Sequence, residues 1–204
     1  MNDSVGAGSW LEPVTLRSAI VDLVPLSPGH AAALGEAVRD GELWKLWYTQ
    51  VPSPDDMPRE IQRRLDLQAR GSMLPFAVIE NATGAAAGMT TYMNVDAVNR
   101  RVEIGSTWYR QRVQRTALNT QCKLLLLEHA FDTLGCIAVE FRTHILNHAS
   151  RRGIERLGAR LDGILRHHMM MPNGTLRDTC VYSITAPEWP AVRTHLRWQL
   201  QRPR

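Results

Sequence analysis

Short apolar blocks rich in β-branched residues alternate along the chain with polar turn sequences, a pattern that predicts strands. Two Ser-Pro pairs, Ser27-Pro28 and Ser53-Pro54, have the form of a helix N-cap followed by proline at the first helical position. The predicted strands are Val14–Leu26, Leu74–Glu80, Ala85–Val95, Arg100–Tyr109, Ile137–Thr143, Leu161–Met171 and Arg177–Thr185. The predicted helices are Pro28–Arg39, Pro54–Gly71, Thr116–Thr133, His148–Leu157 and a short helix after Pro187.

Before the short C-terminal helix, the order of these elements is β, α, α, β, β, β, α, β, α, β, β. It predicts an α/β (α+β) fold with a mixed central β-sheet of about seven strands and helices on both faces. The helix Thr116–Thr133 is a crossover connection, so the strands on either side of it should be parallel. We expect one domain over residues 13–204 with a short C-terminal helix, preceded by a flexible N-terminus of residues 1–12.

Composition narrows the class of protein. A hydrophobic content of 44% and a charged content of 22% are ordinary for a globular chain. The net charge of +4 comes mostly from arginines scattered over several elements, which argues against nucleic-acid binding. No apolar run is long enough for a membrane helix. Three widely spaced cysteines indicate buried thiols in a cytoplasmic protein, and the histidines lack the spacing of a metal site.

An arginine-rich segment lies where the long crossover helix should begin. Three arginines, Arg110, Arg112 and Arg115, occur within six residues ahead of an apolar run. A helix N-terminus offers unpaired N–H groups and a partial positive charge, and guanidinium groups bind phosphate oxygens bidentately. The segment therefore suits a phosphate-bearing ligand, although an ordinary crossover helix with a solvated basic cap would have the same sequence.

Three segments in order carry a family resemblance. They are Glu103–Tyr109, with its Glu-Ile-Gly start, Gln114–Phe131, and Asn147–Ala159, which has the form Asn-x-x-Ser followed by Leu-Gly. Together they resemble the GNAT acetyltransferase superfamily, in the branch related to the RimJ/RimL ribosomal-protein N-terminal acetyltransferases. The resemblance covers roughly residues 14–190 and implies the GNAT fold.

The resemblance implies an enzyme that uses acetyl-CoA to acetylate a primary amine by direct attack on the thioester. One departure from the family pattern is Arg115, which stands where the cofactor loop usually has a glycine. Its guanidinium could contact the cofactor, or its side chain could obstruct the loop. The cofactor-binding residues implied by the family are Ile104, Gly105, Arg110, Arg112, Gln114, Arg115, Thr116, Ala117, Asn119, Asn147 and Ser150.

Three residues are candidates for proton transfer. Glu103 alternates with Val102 and Ile104, so it projects from the opposite face as a general base or as a partner of an arginine such as Arg101 or Arg115. By resemblance Ser150 is an acid or hydrogen-bond donor near the cofactor sulfur. Tyr182 is a second donor candidate. The same residues also suit structural roles, as a helix hydroxyl for Ser150 and as a core tyrosine for Tyr182.

The acceptor is the least determined part of the prediction. Trp44, Trp47 and Tyr48 lie where the family shapes its acceptor cleft, and they either bind substrate or hold two helices together. A protein or peptide N-terminus and a small-molecule amine, such as an antibiotic, polyamine or amino acid, are both open. A weakly catalytic acyl-CoA-binding module is a third possibility. Met169-Met170-Met171 alternate faces near a hairpin tip, consistent with homodimer contacts.

Overall fold

Eight strands form one mixed sheet in the computed structural model, which describes residues 10–202. Most of the predicted flexible N-terminus, residues 1–12, lies outside these residues. The strand order is β1-β2-β3-β4-β5-β6-β8-β7. The strands are β1 Leu16–Arg17, β2 Val21–Pro25, β3 Met73–Glu80, β4 Ala85–Asp96, β5 Arg101–Tyr109, β6 Ala138–His144, β7 Arg160–Met170 and β8 Leu176–Thr185.

The predicted α/β class is confirmed, and the eighth strand has a local cause. The first predicted strand is split in two because the Ser18 hydroxyl accepts hydrogen bonds from the amides of Ile20 and Val21. This turn folds β1 back onto β2 as an antiparallel pair. Sequence counting took both pieces as one strand.

Five helices cover the two faces of the sheet. The long crossover helix continues beyond Glu128 as a wider π turn, His129–Thr133, and Gly135 follows at a φ of 65°. None of the helices within residues 10–202 is long and apolar enough to cross a membrane. The helices are α1 Ala31–Arg39, α2 Met57–Ala69, α3 Ala117–Glu128, α4 His148–Glu155 and α5 Trp189–Gln201.

Alternate residues of the strands enter two separate hydrophobic cores. Phe76 and Val78 lie in the core beneath α3 and α5, whereas Ala77 between them lies in the core beneath α1 and α2. Val102 and Ile104 belong to the first core, so the prediction that Glu103 faces the other way is confirmed. The sheet thus has an α3 face and an α2 face, and we use these names below.

The central strands β5 and β6 pair over a short length only. Arg101–Glu103 pair in parallel with Ala138–Glu140, which confirms the predicted crossover, and no further pairing between these strands occurs in the described part of the chain. On its other side β5 bulges, because Ser106 and Thr107 lie opposite the single residue Thr90 of β4. We call the opening between residues 105–109 of β5 and 141–144 of β6 the strand gap.

Candidate active site

The bulge in β5 is fixed by its own backbone and by a buried arginine. Ser106 has a φ of 47°, a left-handed conformation that bends the strand away from β6. Its carbonyl oxygen accepts hydrogen bonds from Nη1 and Nη2 of Arg64, at 3.2 and 3.3 Å. The same guanidinium donates to Thr91 Oγ1 at 2.7 Å and to Glu60 Oε1 at 2.7 Å. Arg64 therefore ties helix α2 to the wall of the strand gap.

Sequence reasoning missed Arg64, although a signal was present. Met57, Ile61 and Arg64 form the buried stripe of α2, at the three- and four-residue spacing of one helix face. A charged residue on such a stripe requires buried partners, because an unpaired buried charge is costly. That requirement could have marked it as a residue with a specific role.

Glu103 is buried on the α2 face at the point where β5 and β6 separate. Asn94 donates from Nδ2 to Glu103 Oε2 at 2.7 Å, and Arg142 Nε lies 3.4 Å from the same oxygen. Arg142 is thus its ion-pair partner, whereas Arg101 pairs with Glu140. Burial raises the pKa of Glu103, and the Asn94 hydrogen bond and the Arg142 charge oppose the rise only in part.

Gly105 leaves room for this carboxylate. A Cβ atom on Gly105 would lie 2.8 Å from Glu103 Oε1 and 2.7 Å from Met93 Sδ, both of which are too close. Beside them opens a cleft of about 320 Å³, whose lining includes Glu60, Asn94 and Ser106. The bulge residue Ser106 lines this cleft, and so does Asn94, the hydrogen-bond partner of the Glu103 carboxylate.

The arginine-rich segment forms a loop that ends in the first turn of α3. Thr116 is the N-cap, since its Oγ1 accepts from the amide of Leu118 at 3.2 Å. Arg115 has a φ of 61°, so this arginine adopts the left-handed backbone that a glycine adopts more easily. Beside the turn lies a hollow of about 390 Å³, lined in part by Thr116 and Ala117.

The other polar residues of the loop hold it in place. Arg110 Nε lies 3.1 Å from Asp40 Oδ2, and Arg112 forms a two-pronged ion pair with Glu80. Gln114 donates from Nε2 to the Tyr109 carbonyl at 2.9 Å. The guanidinium groups of Arg110 and Arg112, which were predicted to contact the cofactor, thus have carboxylate partners within the protein.

Helix α4 begins on the other side of the strand gap. Asn147 caps it, with Oδ1 accepting from the Ser150 amide at 3.0 Å. The Ser150 hydroxyl has no hydrogen-bond partner among the described residues, and the side chain is half-buried. Tyr182 is fully buried, and its hydroxyl donates to Glu155 Oε1 at 2.7 Å and accepts from Arg151 Nε at 3.0 Å.

The predicted acceptor residues divide into two groups. Trp44 packs against the core beneath α1 and α2. Trp47 and Tyr48 contact His144 at the end of β6, with ring centroids 5.3 and 6.5 Å from the imidazole. Sequence reasoning missed His144. Burial lowers its pKa, and because Nδ1 accepts from the Leu146 amide, the neutral ring carries its proton on Nε2, which has no partner among the described residues.

Comparison with known proteins identifies the family. The model of the acetyltransferase (GNAT) domain matches residues 21–160. The chain belongs to the GNAT acetyltransferase family. It is 31% identical over 174 residues to YdaF of Bacillus subtilis strain 168, which is provisionally named a ribosomal N-acetyltransferase; the match covers 80% of this chain and 90% of YdaF.

Solved structures of acetyltransferases are similar to this chain as well. A GCN5-related N-acetyltransferase from Brucella melitensis has 30% identity and a TM-score of 0.83, over 93% of this chain and 86% of that one. RimL, an acetyltransferase of ribosomal L7/L12 solved with coenzyme A, shares the fold at 19% identity and a TM-score of 0.72, over 84% of this chain and 98% of RimL. The predicted resemblance to the RimJ/RimL branch is confirmed.

GNAT enzymes use acetyl-CoA as the acetyl donor, and this chain has features that fit it. The first turn of α3 offers free N–H groups for a diphosphate, next to the left-handed residue Arg115. The amide oxygen of Asn119 is buried without a hydrogen-bond partner among the described residues. The strand gap exposes backbone groups that β6 does not use. The predicted enzyme class and cofactor are therefore confirmed.

Proposed function

We propose that this acetyltransferase acts on the α-amino group of a protein or peptide N-terminus. The observation that carries the proposal is the buried carboxylate of Glu103 at the α2 face of the strand gap, beside a cleft large enough for a short peptide end. The provisional name of YdaF, as a ribosomal N-acetyltransferase, supports the same substrate class.

The pKa of the acceptor explains the preference. An α-amino group has a pKa of about 7.8 and a lysine amine about 10.4, so deprotonating lysine at neutral pH costs about 3.5 kcal/mol more. Glu103 is a weak base even with its raised pKa. A site with one such base is better suited to an amine that is already partly neutral in solution at pH 7.

Each proposed role uses a group of this chain. Acetyl-CoA supplies the acetyl thioester that the amine attacks. Glu103 accepts the proton of the amine, directly or through water. Backbone N–H groups of residues 104–108 donate to the thioester carbonyl. Ser150 is the hydroxyl donor on the α4 side, which we favour over Tyr182 because the Tyr182 hydroxyl already bonds Glu155 and Arg151.

The loop and the caps hold the cofactor in this proposal. Arg115, Thr116, Ala117 and Asn119 surround the diphosphate at the start of α3, and Asn147 contacts the pantetheine arm. Arg110, Arg112 and Gln114 keep the loop in shape through Asp40, Glu80 and the Tyr109 carbonyl. Trp47 and Tyr48 border the acceptor.

The test is thiol release from acetyl-CoA with a panel of acceptors at equal concentration. Peptides with a free N-terminus should react faster than the same peptides with a blocked N-terminus and one lysine. Faster turnover of antibiotics, polyamines or free amino acids would reject the peptide acceptor. Coenzyme A binding without turnover of any amine would favour a binding module.

Variants test the residues. Glu103→Gln should lower kcat/KM by about 100-fold or more, the usual effect of losing a general base. Glu140→Gln is the matched control, because Glu140 also binds Arg142 but pairs with Arg101. Ser150→Ala should lower kcat by about tenfold with little change in acetyl-CoA affinity. Equal losses in the Glu103 and Glu140 variants would remove the base role.

We also propose that two copies associate through β7. This edge strand exposes Leu161, Ile164 and Met170, the last with 73% of its surface accessible, whereas Met171 is buried. Sedimentation of the wild type should give a dimer and Met170→Lys a shift towards the monomer; a monomeric wild type would reject the proposal. The cytoplasmic location stays a prediction.

A further inference from the structure

Lys123 lies beneath the strand gap, on its α3 face. Its side chain is only 7% exposed, and Nζ donates to Thr107 Oγ1 at 3.1 Å. Nζ is also 5.9 Å from the centre of the Phe141 ring. Thr107 belongs to the bulge of β5 and Phe141 to β6, so the amine lies between the two strands where they have separated.

A lysine at this place is unusual for this chain. Of its 24 basic residues 22 are arginine, and the second lysine, Lys45, is exposed and pairs with Glu42 at 2.6 Å. Arginine stays charged in proteins, whereas a buried lysine can gain or lose its proton near neutral pH. Lys123 therefore carries the one buried lysine amine within residues 10–202, and this amine lies beneath the strand gap.

No acidic partner balances this amine. Within residues 10–202 no carboxylate pairs with Nζ. The titratable neighbours are Cys122 on the same helix and Tyr109 of β5, which contacts Cys122. Burial raises the pKa of Cys122 to about 12 and that of Tyr109 well above its usual value, so both are neutral. Burial lowers the pKa of Lys123 to about 8, which leaves it mostly charged at pH 7.

A buried, uncompensated ammonium stabilises an anion that forms beside it. Acetyl transfer forms one: the amine nitrogen bonds to the acetyl carbon, the carbon–sulfur bond breaks, and its electron pair stays on sulfur. The amine proton passes to Glu103 or water. The diphosphate is a separate anion, because Lys123 lies seven residues beyond Thr116, about 10 Å along the helix axis.

We propose that Lys123 binds the thiolate of coenzyme A when the carbon–sulfur bond breaks. This assignment rests on the proposed function, and it makes Lys123 a second group at the leaving sulfur, opposite Ser150 on α4. Its charge stabilises the leaving group, while Glu103 on the other face of the sheet acts on the incoming amine.

Lysine-selective ¹³C labelling tests this directly, because the chain has two lysines. Lys45→Arg assigns the two signals. The pKa of Lys123 is then measured for the free protein, with coenzyme A, and with desulfo-coenzyme A, which lacks the thiol. Coenzyme A should raise the pKa of Lys123 by about one unit or more, and desulfo-coenzyme A should not. Equal shifts with both ligands, or none, would overturn the assignment.

Binding measurements separate this inference from the proposed function. At about pH 8 the wild type should bind coenzyme A at least tenfold more tightly than desulfo-coenzyme A. Lys123→Met should lose that ratio, and Lys45→Met should keep it, with folding of each checked by circular dichroism. A ratio unchanged in Lys123→Met would reject the thiolate role alone. Failure of the wild type to bind either ligand would reject the proposed function as well.

Discussion

The guanidinium of Arg64 and the carbonyl oxygen of Ser106 are joined by two hydrogen bonds of 3.2 and 3.3 Å. They connect the middle of helix α2 to the residue at which strand β5 bulges. A carbonyl at a bulge can lack its usual strand partner, and here the arginine supplies the donors instead. The opening between the strands therefore depends on a side chain from a different layer of the fold.

Arg64→Met should reduce the free energy of unfolding by about 3 kcal/mol, because it leaves buried acceptors unpaired. Arg63→Met is the matched control. Arg63 binds the same Glu60 but is 53% exposed, against 1% for Arg64, so its loss should change stability by less than about 1 kcal/mol. Urea denaturation measures both. Similar losses in the two variants would show that Arg64 is no more than a surface partner of Glu60.

Activity should fall on the acid side as Glu103 gains a proton. Burial raises the pKa of Glu103, so this fall should begin above the usual glutamate pKa of 4.5. The nearby charge of Arg142 lowers that pKa, and Arg142→Met should move the acid limb of kcat/KM to higher pH. If the acid limb of kcat/KM does not move in Arg142→Met, Glu103 is not the titrating group.

The raised pKa of Glu103 also affects the stability of the protein, in the opposite direction to the lowered pKa of a salt-bridged acid. A raised pKa means that the folded state binds the proton more tightly than the unfolded state does. The charged Glu103 therefore costs stability above its folded pKa. Glu103→Gln should increase the free energy of unfolding at pH 7 and lose this advantage as the pH falls below 4.5. Denaturation at both pH values, compared with Glu140→Gln, measures it.

Much of the fold follows from the sequence because its signals are local. Ser27-Pro28 and Gly135 mark helix ends by their own backbone preferences, and the structure has ends there. The position of Glu103 was likewise readable from the alternation of Val102 and Ile104. These predictions needed no knowledge of distant residues.

The partners in the site were not readable, because they come from elements far apart in the chain. Arg64 reaches Ser106 across 42 positions, and Trp47 meets His144 only in the folded protein. Arg110 and Arg112 looked available for a phosphate, yet Asp40 and Glu80 bind them. In the sequence, Lys123 is one polar residue within an apolar helix, and only the structure shows that it lies beneath the strand gap.

Arg115 offers a test of backbone strain in the cofactor loop. Its φ of 61° is costly for a residue with a Cβ and worst for a β-branched one. Arg115→Gly should leave the free energy of unfolding within about 1 kcal/mol of the wild type, since relief of strain offsets the added freedom of the unfolded chain. Arg115→Val should lose about 1–2 kcal/mol. Thermal or chemical denaturation decides; equal stability of the glycine and valine variants would contradict the strain.

Asn147 can be tested for two roles separately. Asn147→Ala removes the cap on α4 and should cost about 1 kcal/mol. Asn147→Asp keeps an oxygen for the Ser150 amide, so its stability should match the wild type. If the side-chain amide also contacts the pantetheine arm, the aspartate variant should bind coenzyme A more weakly by calorimetry. Unchanged affinity would leave Asn147 as a cap alone.

Within residues 10–202, three residue pairs between β5 and β6 are all that joins strands β1–β5 to strands β6–β8 in the sheet. These pairs form a narrow seam between two half-sheets, β1–β5 and β6–β8. A ligand bound along the seam would contact both half-sheets. Occupancy of the seam adds its binding free energy to the work of separating the halves, about 2.7 kcal/mol at a ligand concentration 100 times Kd. With the acetyl donor bound as proposed, the cofactor would also hold the two half-sheets together, and the enzyme without it would be the less cohesive form of the molecule.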